Sequence, residues 1–329
     1  MASAARVRSD GGCLSKAESG MKTGARVLLY VRVLRLPFLS ASLTPVMLGA
    51  AYGRFLTGSL EAGMLGWALL GTALINLTAN TANDYFDHLS HTDERNSEFV
   101  RPFTGGSRLI QEGLLSPAEV LAVSLACAGA AAAVGFWLTL RGGMPVLLLG
   151  VLGMGLGFFY TAPPVRFASR GLGEPVIALA VGILPVVGSC YLQTGRMDWR
   201  AVVVALPVAS LVTAIILINE FPDAAADGST GRRTWVVRSG SKVAMRIYAI
   251  LMTCWAPALA AAVAAGLCPP LTLVALVALI PAVLAVAIAE KRKSTPGLLA
   301  PAIVLTILSH LLAGLLMAAA LAWAPRHGA

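Results

Sequence analysis

Charge is what this chain has least of. Only 12% of its 329 residues are Asp, Glu, Lys or Arg, and only 16 carry an acidic side chain. Soluble domains hold about a quarter charged residues, so an ordinary water-soluble fold is excluded. Cysteine is sparse too. Cys13, Cys127, Cys190, Cys254 and Cys268 are scattered and form no Cys-x-x-Cys, which excludes a disulfide framework and a zinc site of clustered thiolates. Residues 1–25 lack any long apolar stretch and hold Gly, Ser, Lys and Arg. They read as a disordered leader and not as a cleavable signal peptide, with Met21 as an alternative start.

What fills the chain is apolar. Hydrophobic residues make up 57% of it and its mean hydropathy is +0.78, the composition of a polytopic membrane protein. With about 20 apolar residues needed per span, nine candidate spans fall at 36–56, 62–83, 118–139, 144–160, 173–193, 201–222, 244–266, 269–289 and 298–323. The expected fold is all-α: one membrane-embedded domain over 26–329, a bundle around a central cavity. The fourth span is short, and its Gly153, Gly155 and Gly157 predict close helix packing.

The net charge of +9 invites a nucleic-acid reading, which its distribution opposes. With the N-terminus in the cytoplasm, 20 of the 25 Lys and Arg fall on the cytoplasmic side. That is the positive-inside pattern of a multi-pass membrane protein, and no nucleic-acid partner is expected.

Two acidic signatures stand out against this background. Asn83-Asp84-Tyr-Phe-Asp87, with Asp93 six residues on, follows the second span; Asn219-Glu220-Phe-Pro-Asp223, with Asp227 four residues on, follows the sixth. Both read Asn-acid-x-x-Asp. Four spans separate them, so their helices run in the same direction. That predicts a parallel internal repeat of two four-helix halves with a ninth helix added, and it puts both signatures on the cytoplasmic side. Acids three or four apart share a helix face, and carboxylates at that depth are costly unless compensated. Asn80 and Asn76 lie one and two turns upstream and offer neutral oxygens. Asp and Asn also cap or solvate helix ends, but two clusters of matching form favour a metal site. Oxygen-only donors suit Mg2+, which joins a few carboxylates to substrate phosphates.

Cations accompany the acids. Arg232 and Arg233 follow the second signature, and Arg166 and Arg170 lie in the loop that begins Tyr160-Thr-Ala-Pro163-Pro164. Guanidinium groups beside Mg2+ would neutralise a diphosphate, although positive-inside topology alone accounts for most loop arginines. A diphosphate site inside a membrane implies a lipid diphosphate. Metal and arginine would draw charge onto the leaving diphosphate, an allylic carbon would ionise, and an apolar cavity would exclude water. Tyr160, Phe159, Tyr85 and Phe86 are candidate aromatic faces for the cation, with packing as their alternative role. His91, beside the first signature, is a candidate proton acceptor or a solvated loop residue.

The residues carry a resemblance. Asn83-Asp84-x-x-Asp87…Asp93, Tyr160-x-x-Pro163-Pro164 and Asp223-x-x-x-Asp227 followed by Gly231-Arg-Arg-Thr234 resemble the UbiA superfamily of intramembrane prenyltransferases over nearly the whole chain. That resemblance implies a nine-helix fold with a cavity open sideways to lipid. It also implies Mg2+-dependent transfer of a polyprenyl group from its diphosphate to an acceptor. By the same resemblance Asp84, Asp87, Asp93, Asp223 and Asp227 would be metal ligands, with Asp84, Asp87, Asp223, Asp227 and Tyr160 at the reacting centre. Asn80, Asn83, Arg166, Asn219, Arg232 and Arg233 would bind substrate.

Within the superfamily, Asn-Asp-Tyr-Phe-Asp, Gly105-Gly106-Ser…Ile110-Gln111 and Arg170-Gly171-Leu172-Gly173-Glu174 resemble the MenA-like branch. That branch prenylates 1,4-dihydroxy-2-naphthoate in menaquinone biosynthesis, an aromatic quinone precursor that loses its carboxylate. His91 where a four-residue spacing would place an acid, and Glu220 where Asp is expected, depart from the pattern. Alternative acceptors are 4-hydroxybenzoate, homogentisate, a chlorin or a haem. An ion-coupled transporter is the alternative from another class, but it would favour inverted repeats and charges at mid-membrane.

Overall fold

The computed structural model describes residues 23–326; the predicted leader lies outside the described residues except for 23–25, which begin a helix. Among the described residues all regular structure is helical. The main elements are α1 (Thr23–Val33), α2 (Leu39–Thr57), α3 (Ala62–Leu89), α4 (Thr92–Arg95), α5 (Pro117–Gly142), α6 (Met144–Phe158), α7 (Gly173–Thr194), α8 (Arg200–Ser229), α9 (Trp235–Ala264), α10 (Pro270–Arg292) and α11 (Ala300–Trp323).

Eight described segments are long and apolar enough to span a membrane, the first being Arg26–Thr57. The fourth expected span is α6, with 15 residues. At 1.5 Å per residue it reaches about 22 Å, short of a hydrocarbon core of about 30 Å. Gly143, with φ 75° just ahead of α6, is the turn that shortens it.

α8 is the buried centre of the bundle. It packs on α7, α9 and α11, while α2 packs on α7 and α11, and α3 packs on α5. Small residues permit the close approaches. A Cβ on Gly49 of α2 would stand 2.2 Å from the Val186 carbonyl oxygen of α7, and one on Gly182 of α7 would stand 2.5 Å from Ala209 of α8. α7 widens into a π-helical stretch at Ala178–Ile183, just ahead of Pro185. A proline without an N–H breaks the regular ladder at that point.

Two helices run further than their apolar composition predicts. α3 continues through its signature to Leu89, and α8 passes Pro222 and ends at Ser229. The acids of both signatures are therefore helical residues, held at fixed angles about their axes. α1 lies against the segment that follows the first signature. Its Leu29 and Val33 pack with Leu109, Leu115 and Val120, and Arg26 and Tyr30 both donate to Glu119, each at 2.8 Å.

Candidate active site

The C-terminal ends of α3 and α8 converge on one cavity of about 230 Å³. From α3 the wall is built of Thr72, Asn76, Asn80, Asn83 and Asp87; from α8 it is built of Val212, Ile216, Asn219, Asp223 and Asp227. Steps of three and four residues keep each set on one helix face. Both stripes end in carboxylates. The deeper wall is apolar, with Ile75, Val181, Leu156 and Ile215. Arg35, Phe38, Phe103, Gly105 and Gly106 close the mouth together with Tyr160, Asp93 and Arg232.

Arg232 bridges the two signatures. Its Nη1 donates to Asp87 Oδ2 at 3.0 Å, and its Nε lies 3.8 Å from Asp227 Oδ1. Asn83 Nδ2 donates to the same Asp87 oxygen at 2.8 Å. The segment after α3 makes a second link, where Asn96 Nδ2 donates to Asp223 Oδ1 at 2.7 Å. Deeper in the wall, Asn80 donates to Asn76 at 2.9 Å and Asn76 donates to the Ser42 hydroxyl at 2.6 Å, so this face stays polar below the acids.

Asp93 reaches the cavity from α4, outside the spans. Burial, reinforced by Asp87 and Asp84 and opposed by Arg108, pushes its carboxyl up to about 9. Arg108 donates to its backbone carbonyl at 2.6 Å and lies over the Phe99 ring at 4.4 Å. Gly106, with φ 70°, is enforced by this crowding. A Cβ there would stand 2.9 Å from both Asp84 Oδ1 and Asp93 Oδ2.

Asp84 occupies a different place. It lies one residue, about 100°, round the helix from Asn83. It is buried behind the wall and is not among the residues lining the cavity. The Ser107 N–H donates to both of its oxygens, at 3.3 and 3.2 Å, and Arg35 lies 3.7 Å away. Asn80, Asn83, Asp87, Asp93, Tyr160, Asn219, Asp223, Asp227 and Arg232 all line the cavity. Arg166 and Arg233 are exposed and lie outside it. His91 is exposed as well, with φ 57° at the start of α4. Of the four aromatics read from the sequence, only Tyr160 reaches the cavity. Tyr85 packs in the α1 cluster, and Phe86, Phe158 and Phe159 stack edge to face at 5.9 and 5.5 Å.

The sequence reading overlooked Arg35 and Asn96 and gave Ser107 no role beyond its place in the Gly105-Gly106-Ser motif. Arg35 was counted only as a topological charge. Its signal is indirect: it stands just before Leu36-Pro37 with φ 52°, and its guanidinium covers the Phe38 ring at 4.5 Å.

Among the described residues, no three His, Cys, Asp or Glu side chains converge tightly enough to hold a metal unaided. The carboxylates ring the mouth instead, leaving coordination places open. That arrangement fits Mg2+, which takes one or two carboxylates and completes its shell with water and phosphate oxygens.

A second cavity, of about 560 Å³, adjoins the first and shares Thr72, Ile75, Gly153 and Ala180 with it. Its wall is almost entirely apolar, drawn chiefly from α3, α5, α6 and α7, with Phe136, Leu147 and Leu184 among its residues.

A model of the UbiA prenyltransferase family matches residues 42–307. The chain belongs to that family. Relatives include a 1,4-dihydroxy-2-naphthoate octaprenyltransferase of Bacillus subtilis, 28% identical over 211 residues, covering 64% of this chain and 66% of that one. A 2-carboxy-1,4-naphthoquinone phytyltransferase of Synechocystis is 25% identical over 296 residues, covering 90% and 94%. The fold matches solved UbiA homologues. One from Aeropyrum pernix superposes with TM-score 0.69 at 17% identity, covering 85% of this chain and 96% of that one. One from Archaeoglobus fulgidus, bound to DMAPP and Mg2+, gives TM-score 0.64 at 16% identity, covering 88% and 98%. UbiA membership agrees with the sequence-based reading of a multi-pass membrane prenyltransferase.

Proposed function

We propose that this UbiA family member transfers a polyprenyl group from an allylic polyprenyl diphosphate to 1,4-dihydroxy-2-naphthoate, a step of menaquinone biosynthesis. The observation that carries the reading is Arg232, held between Asp87 and Asp227 over a cavity that adjoins an apolar one. That is a charged mouth for a diphosphate joined to an oily channel for its chain. The naphthoate acceptor is supported by the names of the curated relatives, and Mg2+ by the ion bound to the Archaeoglobus homologue.

Asp87, Asp93, Asp223 and Asp227, with Asn83 and Asn219, would hold Mg2+ against the diphosphate. When bound, the ion withdraws electrons from the leaving group. Arg232 donates to the diphosphate oxygens and gains charge-assisted bonds as they become more negative. The apolar wall excludes water from the allylic cation once the C–O bond breaks, and the Tyr160 ring offers it an aromatic face. The ring acceptor then gives an electron pair to the allylic carbon to form the new C–C bond, and its carboxylate leaves as CO2, the electrons of the broken C–C bond returning to the ring.

The bias of Lys and Arg supports a cytoplasmic N-terminus and cavity mouth. The same reading takes the chain from residue 26 as one domain of two parallel four-helix halves plus α11. The deciding experiment incubates the purified protein in lipid vesicles with Mg2+, a polyprenyl diphosphate and a panel of ring acceptors, with products identified by mass. Prenylated naphthoate is expected. A prenylated benzoate or homogentisate with no naphthoate product overturns the acceptor assignment.

A further inference from the structure

α6 runs past both cavities. Leu156 and Gly157 line the first, Leu147 and Gly150 line the second, and Gly153 lines both. The sequence reading gave Gly153, Gly155 and Gly157 to close helix packing. Of the three, Gly157 alone serves it. A Cβ there would stand 3.4 Å from the Ala79 Cβ of α3, whereas one on Gly153 or Gly155 would meet nothing within 4 Å. Glycine weakens a helix interior, so an unpacked one calls for another reason.

Gly153 stands where the cavities join. Thr72 and Ile75 of α3, Gly153 of α6 and Ala180 of α7 line both of them. α6 packs on α3 and on the π-helical stretch Ala178–Ile183 that carries Ala180, and such stretches are frequent at functional sites. Two helices therefore meet the junction with nothing larger than a methyl group. Beyond it the wall is apolar, and its Phe136 and Val151 are 66% and 63% exposed. The far side of the second cavity is thus left uncovered by protein, and in a bilayer it faces lipid.

We propose that Gly153 and Ala180 are specificity-determining residues that hold open a neck, through which the prenyl chain of the diphosphate passes from the first cavity into the second. The inference deepens the diphosphate reading of the first cavity and rests on it. A short chain stays above the neck. A long chain threads it, and each CH2 buried beyond is worth about fourfold in affinity. The neck ranks long chains above short ones, while the uncovered far side sets no upper length.

The test is equilibrium binding of radiolabelled dimethylallyl and geranylgeranyl diphosphates to the full-length protein in vesicles with Mg2+. Wild type is expected to bind the longer chain at least about a hundredfold more tightly, the worth of four or more buried methylenes. Gly153→Phe fills the neck. It is expected to weaken the longer chain at least about tenfold, the loss of two or more such methylenes, and to leave dimethylallyl diphosphate within about threefold. Partition of the longer chain into lipid is the same for both proteins and cancels from the comparison. Ala180→Leu enters the neck from the other helix and is expected to act alike, so it decides if Gly153→Phe fails to fold. A folded variant that weakens both diphosphates equally, or neither, overturns the neck, as does a wild type that binds the two chains equally. A wild type that binds neither diphosphate overturns the diphosphate reading instead.

Discussion

The two signature helices share a pattern and use its second acid for different work. In Asn83-Asp84-x-x-Asp87 and Asn219-Glu220-x-x-Asp223 the Asn and the last Asp face the cavity, because a step of four residues keeps them on one stripe. The acid in second place turns behind the wall in both. Asp84 is held there by the Ser107 N–H and Arg35, and Glu220 is buried with its Oε2 accepting from no N–H or hydroxyl among the described residues. The third acid also arrives by two routes. Asp227 is simply the next turn of α8, whereas α3 has ended at Leu89 and Asp93 is delivered by α4. One wall is a single continuous helix. The other is a helix plus a segment folded back over the mouth.

The comparison breaks first if the cavity-facing acids are not equivalent. Asp87→Ala and Asp223→Ala are each expected to lower transfer at least about a thousandfold, the upper range for removing one preorganised electrostatic contact. Initial rates with saturating Mg2+ and diphosphate check this, and near-normal turnover in either variant sinks the shared-site reading. Arg232→Ala comes next, with a loss of about a hundredfold. Arg232→Lys recovers only part of it, because an ammonium cannot span Asp87 and Asp227 as a planar guanidinium does.

Asp84 sharpens the comparison. The sequence reading grouped it with the metal ligands, but its place behind the wall predicts a different phenotype. Asp84→Asn should leave transfer within about tenfold and cost about 2 kcal/mol of stability, the scale of a hydrogen bond to a charged group. Thermal unfolding in detergent, run beside the rate assay, separates the two effects. An Asp84→Asn protein as inactive as Asp87→Ala would return Asp84 to the metal.

Much of this was legible in the sequence because helix periodicity is arithmetic. Spacing alone brought Asp223 and Asp227 to a common face, and charge bias put both ends on one side. What spacing could not tell was which face looks inward. Asp84 and Asp87 stand three apart and count as neighbours on a helix surface, yet the cavity edge runs between them. Arg35 and Asn96 were hidden for another reason. They reach the site from segments whose path depends on tertiary packing, and the Leu36-Pro37 that follows Arg35 marks a turn but not its direction. The shortness of α6 was visible, but the 3₁₀ turns that open α10 and the π-helical stretch in α7 were not, since a proline marks a break in the ladder without saying which turn replaces it.

The smallest expected effect falls on the cations that sequence could not rank. Arg232 and Arg233 are adjacent and identical in type, and composition treats them alike. The turn after α8 separates them. Arg232 N–H donates to the Asp227 carbonyl at 2.9 Å and its guanidinium points into the cavity, while Arg233 bonds through its backbone to Ser169 and leaves its side chain exposed. Arg166 is exposed too, with φ 49° in a loop whose other arginine, Arg170, donates to the Pro164 carbonyl. Exposed charges near a membrane surface contribute to orientation and interact weakly through water. Arg233→Ala and Arg166→Ala are therefore expected to change KM for the diphosphate by less than about twofold, the scale of an exposed ion pair. A tenfold rise in either would mean that the mouth closes further over its substrate, bringing a second guanidinium into the place that Arg232 holds alone among the arginines after α8.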